Sequence, residues 1–280
     1  MELVIFDLDG TLLNRHSEIS PYTSATLRAL SERSIAYTVA TGRTLHAARD
    51  LLEGHGFLLP QAYKNGVMIW QPAESDYSHR NVLTMDEIEH VLDAVLAQQV
   101  TPFIFTLEPG NRHAIYHTPL HNEIERQLAR EFALRNEVEV LPASRLPAQA
   151  DITNISALGV PDAIGAIADM VDAEPGLVAY SGTALESAAL QWIDIHHSDA
   201  SKGGAVDILR KQLGADRVVC FGDGENDLSM FARADECYAP ANADASVKQV
   251  ADAVIGHHDE DGIARFLRER FDLGPLDSVA

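Results

Sequence analysis

Apolar residues fall along this chain in short continuous blocks, separated by stretches whose apolar positions recur at helical spacing. The first block, within residues 2–6, is Glu2-Leu3-Val4-Ile5-Phe6, the run expected of a strand covered on both faces. A helix is predicted near 20–33, with Ser20 as its N-cap and Pro21 at its first position. A strand at 35–40, a helix near 44–53 closed by Gly54 and Gly56, and a strand near 61–64 follow. That third strand ends at the turn signal Asn65-Gly66, and 67–71 with 77–80 read as a hairpin. Towards the C-terminus the rhythm returns: helix 201–213, strand 217–221, helix 225–233, strand 236–239, helix 244–251, strand 253–255 and helix 260–270.

The stretch 82–186 is patterned differently. It predicts helices at 85–98, 121–134 and 161–172, with strands in "TPFIFTLEP", "HAIYHTP", 137–141, "DITNISALG" and "GLVAYSG". Strands separated by single helices imply right-handed crossovers and a parallel sheet. The expected fold class is therefore α/β. A parallel-sheet domain is formed by 1–81 with 187–280, and a smaller mixed α/β insert covers 82–186.

Composition narrows the function. The chain has 280 residues, 46% of them hydrophobic, and 21 Lys plus Arg against 42 Asp plus Glu, a formal charge of -21. Such acidity argues against nucleic acid and anionic membranes as partners. Any anion site must then concentrate positive charge locally, and only Lys64, Lys202, Lys211 and Lys248 are lysines. The two cysteines, Cys220 and Cys237, make no disulfide framework, and Cys220 sits in an apolar run suited to a buried thiol. No basic region precedes a long apolar stretch, and Asp7 and Asp9 interrupt the first block, so a cytoplasmic location is expected.

Ligands of open parallel sheets bind beyond the carboxyl ends of the strands. There the sequence places Asp7 and Asp9, Thr41-Gly42-Arg43, Asn65-Gly66, and Gly222-Asp223-Gly224-Glu225-Asn226-Asp227. Residues two apart on an extended backbone face the same side, so Asp7 and Asp9 can address one point. Several carboxylates on one rim repel unless a hard cation neutralises them, and oxygen ligation with retained waters suits Mg²⁺. Thr41, the Gly42 amide and Lys202 suit a phosphoryl oxyanion. A carboxylate nucleophile, a second carboxylate as proton shuttle, a cation and a lysine form a phosphoryl-transfer set. No G-x-x-x-x-G-K-[ST] loop is present.

The segments "DLDGTLL", "ATGR", "SKG" and "GDGENDLSM" resemble, in order and spacing, the four motifs of the haloacid dehalogenase superfamily. The match is to the Cof-type branch, whose α/β cap is inserted between the second and third motifs, where 82–186 lies. The resemblance implies a Rossmann-like core, a cap that sets substrate specificity, and Mg²⁺-dependent hydrolysis of small phosphorylated metabolites such as sugar or polyol phosphates. It implies that Asp7 is the nucleophile, forming an aspartyl-phosphate, and that Asp9 is the general acid and base. Mg²⁺ would be held by Asp7, the Asp9 carbonyl and Asp223, with Asp227 supporting it. Thr41, Gly42 and Lys202 would bind the phosphoryl group, and Asn226 would touch it or orient Lys202. Arg43 is open between substrate binding, an ion pair with an acid such as Asp227, and solvent.

Outside the motifs the chain departs from the family pattern at Trp192-Ile193-Asp194-Ile195 and at Asp151-Ile152-Thr153-Asn154-Ile155, so substrate contacts are not carried over. Arg112, His113, His117 and Asn154 are the cap residues singled out for specificity. A metal site at His113, His117 and His121 is disfavoured because Pro119 breaks any helix through them. The adjacent pair His257-His258 is expected to point apart at the surface. Two other functions stay open: a sugar phosphomutase on the same fold, and a non-catalytic metabolite- or metal-binding regulator.

Overall fold

The structure, a computed structural model, describes residues 1–134, 138–184, 187–274 and 276. In chain order the elements begin with β1 (Glu2–Phe6), α1 (Pro21–Glu32), β2 (Ala36–Val39), α2 (Leu45–Leu52), β3 (Gln61–Tyr63), β4 (Met68–Gln71) and β5 (Asp76–Arg80). There follow α3 (Met85–Ala97), β6 (Phe103–Glu108), β7 (Arg112–His117), α4 (Glu123–Ala133), β8 (Val138–Pro142), β9 (Asp151–Gly159), α5 (Pro161–Asp172), β10 (Leu177–Thr183) and β11 (Gln191–His197). The chain closes with α6 (Lys202–Leu213), β12 (Arg217–Phe221), α7 (Leu228–Phe231), β13 (Glu236–Pro240), α8 (Ala245–Val250), β14 (Ala253–Ile255) and α9 (Gly262–Arg270).

Two compact units result: Met1–His79 with the described residues from Ser201 onward, and Arg80–Ala200. In the first, five parallel strands lie in the order β14-β13-β12-β1-β2. Leu3, Val4, Ile5 and Phe6 are fully buried, as an apolar run covered on both faces requires. The order reverses between β1 and β12, which makes their carboxyl ends the topological switch point where such sheets bind ligands. An isolated parallel bridge between Ala40 and Ala62 hangs the small sheet β3-β4-β5 beside β2. Ser20 accepts the Thr23 amide and caps α1 as expected, and Ser201 accepts the Gly204 amide and caps α6.

The second unit is a six-stranded sheet ordered β10-β11-β9-β6-β7-β8, antiparallel except where β8 runs parallel to β7. Ile152, Ile155, Ile193 and Ile195 pack with Ile88, Val91, Ile164 and Ile167 of α3 and α5 on one face. Phe103, Phe105 and Ile115 meet Ala129 and Phe132 of α4 in a second cluster. Next to it Asn154, Ser156 and Asp194 share hydrogen bonds, the Asn154 amide donating to Asp194 at 2.6 Å.

Two expectations are corrected. Residues 187–200 do not join the parallel domain: β11 pairs antiparallel with β9 and β10, and the boundary falls at Ser201. The alternation of Trp192-Ile193-Asp194-Ile195 suits a strand, and which sheet it enters is a long-range choice. The helix expected over 225–233 shortens to a 3₁₀ turn at Glu225–Asp227 followed by α7, because the Asp227 carboxylate folds back onto the amides of Asp223 and Gly224.

The corrected boundary predicts fragment behaviour. A fragment of residues 80–200 is expected to unfold cooperatively in urea. One of 82–186 lacks the strand between β9 and β10 and should show no cooperative transition.

Candidate active site

β1 delivers Asp7 to the switch point, where the Asp7 amide still donates to Phe221 O at 2.9 Å as the sheet ends. The chain then tightens into a single turn over Leu8–Leu12, with Leu13 N donating to Leu8 O at 2.9 Å. Gly10 has φ +72°, and a Cβ there would overlap the Asp223 carboxylate, so this turn demands glycine on both counts. Thr11 Oγ1 donates to Asp223 Oδ1 at 2.8 Å, joining the loops after β1 and β12. Asn242 Nδ2 holds the Gly10 carbonyl at 2.7 Å.

Beneath these loops lies Lys202, the first residue of α6, with no exposed surface. Its Nζ donates to Asp7 Oδ1 at 2.6 Å and to Asp227 Oδ1 at 2.5 Å. Asp227 Oδ2 accepts the amides of Asp223 and Gly224 at 2.8 and 3.0 Å. Both Asp227 oxygens are thus committed to protein donors. Burial alone would lower the Lys202 proton affinity, but Asp227 and Asp7 outweigh it and raise it, so the ammonium stays charged. One ammonium does not balance three carboxylates. Burial pushes Asp7 well above the usual range despite Lys202, with Asp227 and Asp223 adding to the rise. Burial and the Asp227 charge push Asp223 up to about 6.

Oxygens of Asp7, Asp223 and Asp227 lie within 4.8 Å of one another. An excess of buried negative charge held by hard oxygen donors is the environment a divalent cation neutralises, so the residues fit the implied ion. Asp7 and Asp223 suit direct ligation. Asp227, expected to support the metal, lies in the same oxygen cluster and bonds Lys202 and the amides of Asp223 and Gly224.

The Asp9 side chain goes elsewhere. Arg43 grips it in a two-pronged ion pair, Nε to Oδ2 at 2.6 Å and Nη2 to Oδ1 at 2.5 Å. Arg43 had been expected among the phosphate-binding groups, with Asp227 as its possible partner. It engages Asp9, while Asp227 is bonded to Lys202. Thr41 is buried, and its hydroxyl accepts the Arg43 amide at 3.1 Å. Gly42 lies on the same rim, and Asn226 Nδ2 donates to Asn65 Oδ1 at 3.0 Å. Asn65, read from the sequence as a turn on the rim with no role assigned to its side chain, is thereby joined to the site. Its burial at 4% exposure is a property no local pattern reveals.

Among the described residues a second cluster of metal-ligand type is His257, His258 and Asp259. Its rings stack at 4.8 Å instead of pointing apart, because His258 Nδ1 reaches Leu13 O at 2.7 Å. Asp259 pairs with Arg15 at 2.8 Å, which assigns it a structural bond. His113, His117 and His121 form no such cluster among the described residues.

A sequence profile described as haloacid dehalogenase-like hydrolase matches residues 4–267. The chain belongs to this family. Relatives of this hydrolase include a 5-amino-6-(5-phospho-D-ribitylamino)uracil phosphatase of Bacillus subtilis, 24% identical over 97% of this chain and 98% of that protein. A phosphoglycolate phosphatase of Methanopyrus kandleri is 26% identical over 95% of this chain and 96% of its own. The fold is shared with a subclass IIB sugar phosphatase of known structure, at TM-score 0.75 and 20% identity over 98% of this chain and 100% of that one.

Two consequences are measurable. Lys202→Met strands two buried carboxylates and should lower stability by about 3–5 kcal/mol in denaturant titration, with part of the loss recovered by adding Asp227→Asn. Without metal, the native state keeps a proton on Asp223 between its ordinary value of 3.8 and about 6 that the unfolded chain has released. This contribution makes stability fall as pH rises through that window, so Asp223→Asn should flatten the decline in the thermal midpoint between pH 4 and pH 7.

Proposed function

We propose that this protein is a Mg²⁺-dependent phosphatase of small phosphorylated metabolites, with sugar or polyol phosphates as the substrate class. The observation that carries the reading is the buried Asp7 carboxylate, held at one oxygen by Lys202 and set beside Asp223. Lys202 fixes the carboxylate and screens its charge against an approaching phosphoryl group. Attack by the second Asp7 oxygen gives an aspartyl-phosphate, and the leaving oxygen departs with a proton from Asp9. Asp9 then takes a proton from the water that hydrolyses the acyl-phosphate, returning Asp7 as a carboxylate.

Mg²⁺, held by Asp7, the Asp9 carbonyl and Asp223, would neutralise the phosphoryl oxygens and the carboxylates together. Thr41, the Gly42 amide and Lys202 supply donors to those oxygens. The Arg43 pair holds the Asp9 side chain in place; substrate binding releases it, and Asp9 takes up a proton from solvent before giving it to the leaving oxygen. Substrate selection is assigned to the second unit. There Arg112, exposed although paired with Glu108 and Glu139, is a better candidate than Asn154, which is fully buried and hydrogen-bonded with Ser156 and Asp194. The named substrates of the two sequence relatives differ from each other, which supports the class and leaves its member open.

Phosphate release from a panel of phosphorylated metabolites and an aryl phosphate, with and without Mg²⁺, tests the reading. Asp7→Asn should reduce kcat by about a thousandfold or more, and chelation should abolish turnover that Mg²⁺ restores. Asp9→Asn should reduce kcat by about 10²–10⁴. An isomerised product with little free phosphate would point to a mutase instead. Mg²⁺ should raise the thermal midpoint more at pH 7.5 than at pH 5, because its ligands must be deprotonated.

A further inference from the structure

The turn between β3 and β4 carries two buried non-glycine residues with positive φ. Lys64 and Asn65 both lie in the left-handed region, at φ +50° and +54°. Both are buried, at 6% and 4% exposure. Non-glycine residues persist there only where the surroundings hold them, and such residues gather at functional sites.

The bonds of this turn lead away from the hairpin. Lys64 N donates to Arg43 O at 3.0 Å, and Asn65 N donates to Thr41 O at 2.9 Å. The Asn65 carboxamide lies edge-on to Gly42, with Oδ1 and Nδ2 at 3.3 and 3.6 Å from where a side chain on that glycine would begin. The same Oδ1 accepts from Asn226. Gly66, at φ +94°, passes so close to Ser201 O that any Cβ would overlap it, and Ser201 is the residue before Lys202. One turn therefore touches the loop of Thr41–Gly42, the start of the Lys202 helix and the loop of Asn226.

We propose that Asn65 is a positioning residue of the phosphoryl pocket, acting through the Thr41–Gly42 backbone and the Asn226 carboxamide. The proposal rests on the phosphatase reading of that pocket. Asparagine meets both demands of the position: it tolerates the left-handed backbone, and it offers an uncharged amide to Asn226 beside a pocket meant for an anion. Aspartate would satisfy the first and fail the second.

The test is titration of inorganic phosphate with saturating Mg²⁺ into wild type, Asn65→Gly, Asn65→Asp, Asn226→Ala and the Asn65→Gly/Asn226→Ala double variant. Steady-state kinetics on p-nitrophenyl phosphate and thermal midpoints are taken for each. Asn65→Gly retains the backbone geometry, so its midpoint should stay near wild type while phosphate affinity and kcat/KM fall about tenfold, mainly through KM. Asn65→Asp should fall further, because it sets a carboxylate beside the anion. The double variant should fall little below Asn65→Gly, since both changes remove the same alignment.

Wild-type phosphate affinity in Asn65→Gly would overturn the proposal and leave Asn65 a turn former. So would equal losses in the glycine and aspartate variants, or additive losses in the double variant. Should Asn65→Gly fail to fold, Asn65→Asp against Asn226→Ala decides, since a loss no larger than that of Asn226→Ala overturns the proposal. A wild type that binds phosphate yet releases none from the aryl ester would sink the phosphatase reading alone, and the binding series would still judge Asn65. A wild type that binds no phosphate with Mg²⁺ present would overturn both.

Discussion

Lys202 has no access to water, and its ammonium is shared between Asp7 and Asp227. Burying three ionised groups together is expensive, and the attraction offsets that only when every oxygen and proton finds a partner. The first unit is organised around meeting that demand. The sheet brings the ends of β1 and β12 together, the α6 cap aims the lysine inward, and the turn after Gly224 wraps Asp227 with two amides. Such a cluster is a poor device for stability and a good one for fixing a single arrangement of reactive groups.

The four acids of the rim owe their different characters to their partners rather than to their identity. Asp227 is saturated and inert. Asp7 is held at one oxygen, Asp223 is steadied by Thr11 with its proton affinity raised by burial, and Asp9 lies half-exposed in the grip of Arg43. In the proposed reaction the same side chain would serve as scaffold, nucleophile, ligand and proton carrier within one small volume, with environment rather than chemistry dividing labour among carboxylates.

Much of this was legible in the residues. Continuous apolar runs marked the parallel strands, and the spacing of polar residues behind them marked the rim. Local pattern could not reveal which acid would meet which base. Arg43 had several acids in reach, and only the fold shows that Lys202 had already claimed Asp227. Likewise, the alternation in β11 suits a strand, yet its sheet is decided by pairing with β9, 38 residues earlier at the Asp194–Ser156 pair. Asn65 read as an ordinary turn because burial and a distant Asn226 are invisible to a hairpin rule.

The bond between Asp7 and Lys202 spans 195 positions of the chain, and that between Thr11 and Asp223 spans 212. During synthesis the acids leave the ribosome first and wait for their base. At typical elongation speeds the interval is roughly 10–40 s. Throughout it β1 has no β12 to pair with, whereas the 80–200 unit holds all its strands within one continuous stretch. The inserted unit is therefore positioned to fold while the older polypeptide is still unassembled. The nascent first strand, apolar and open on its β12 edge for that time, is the segment for which a chaperone would have most use.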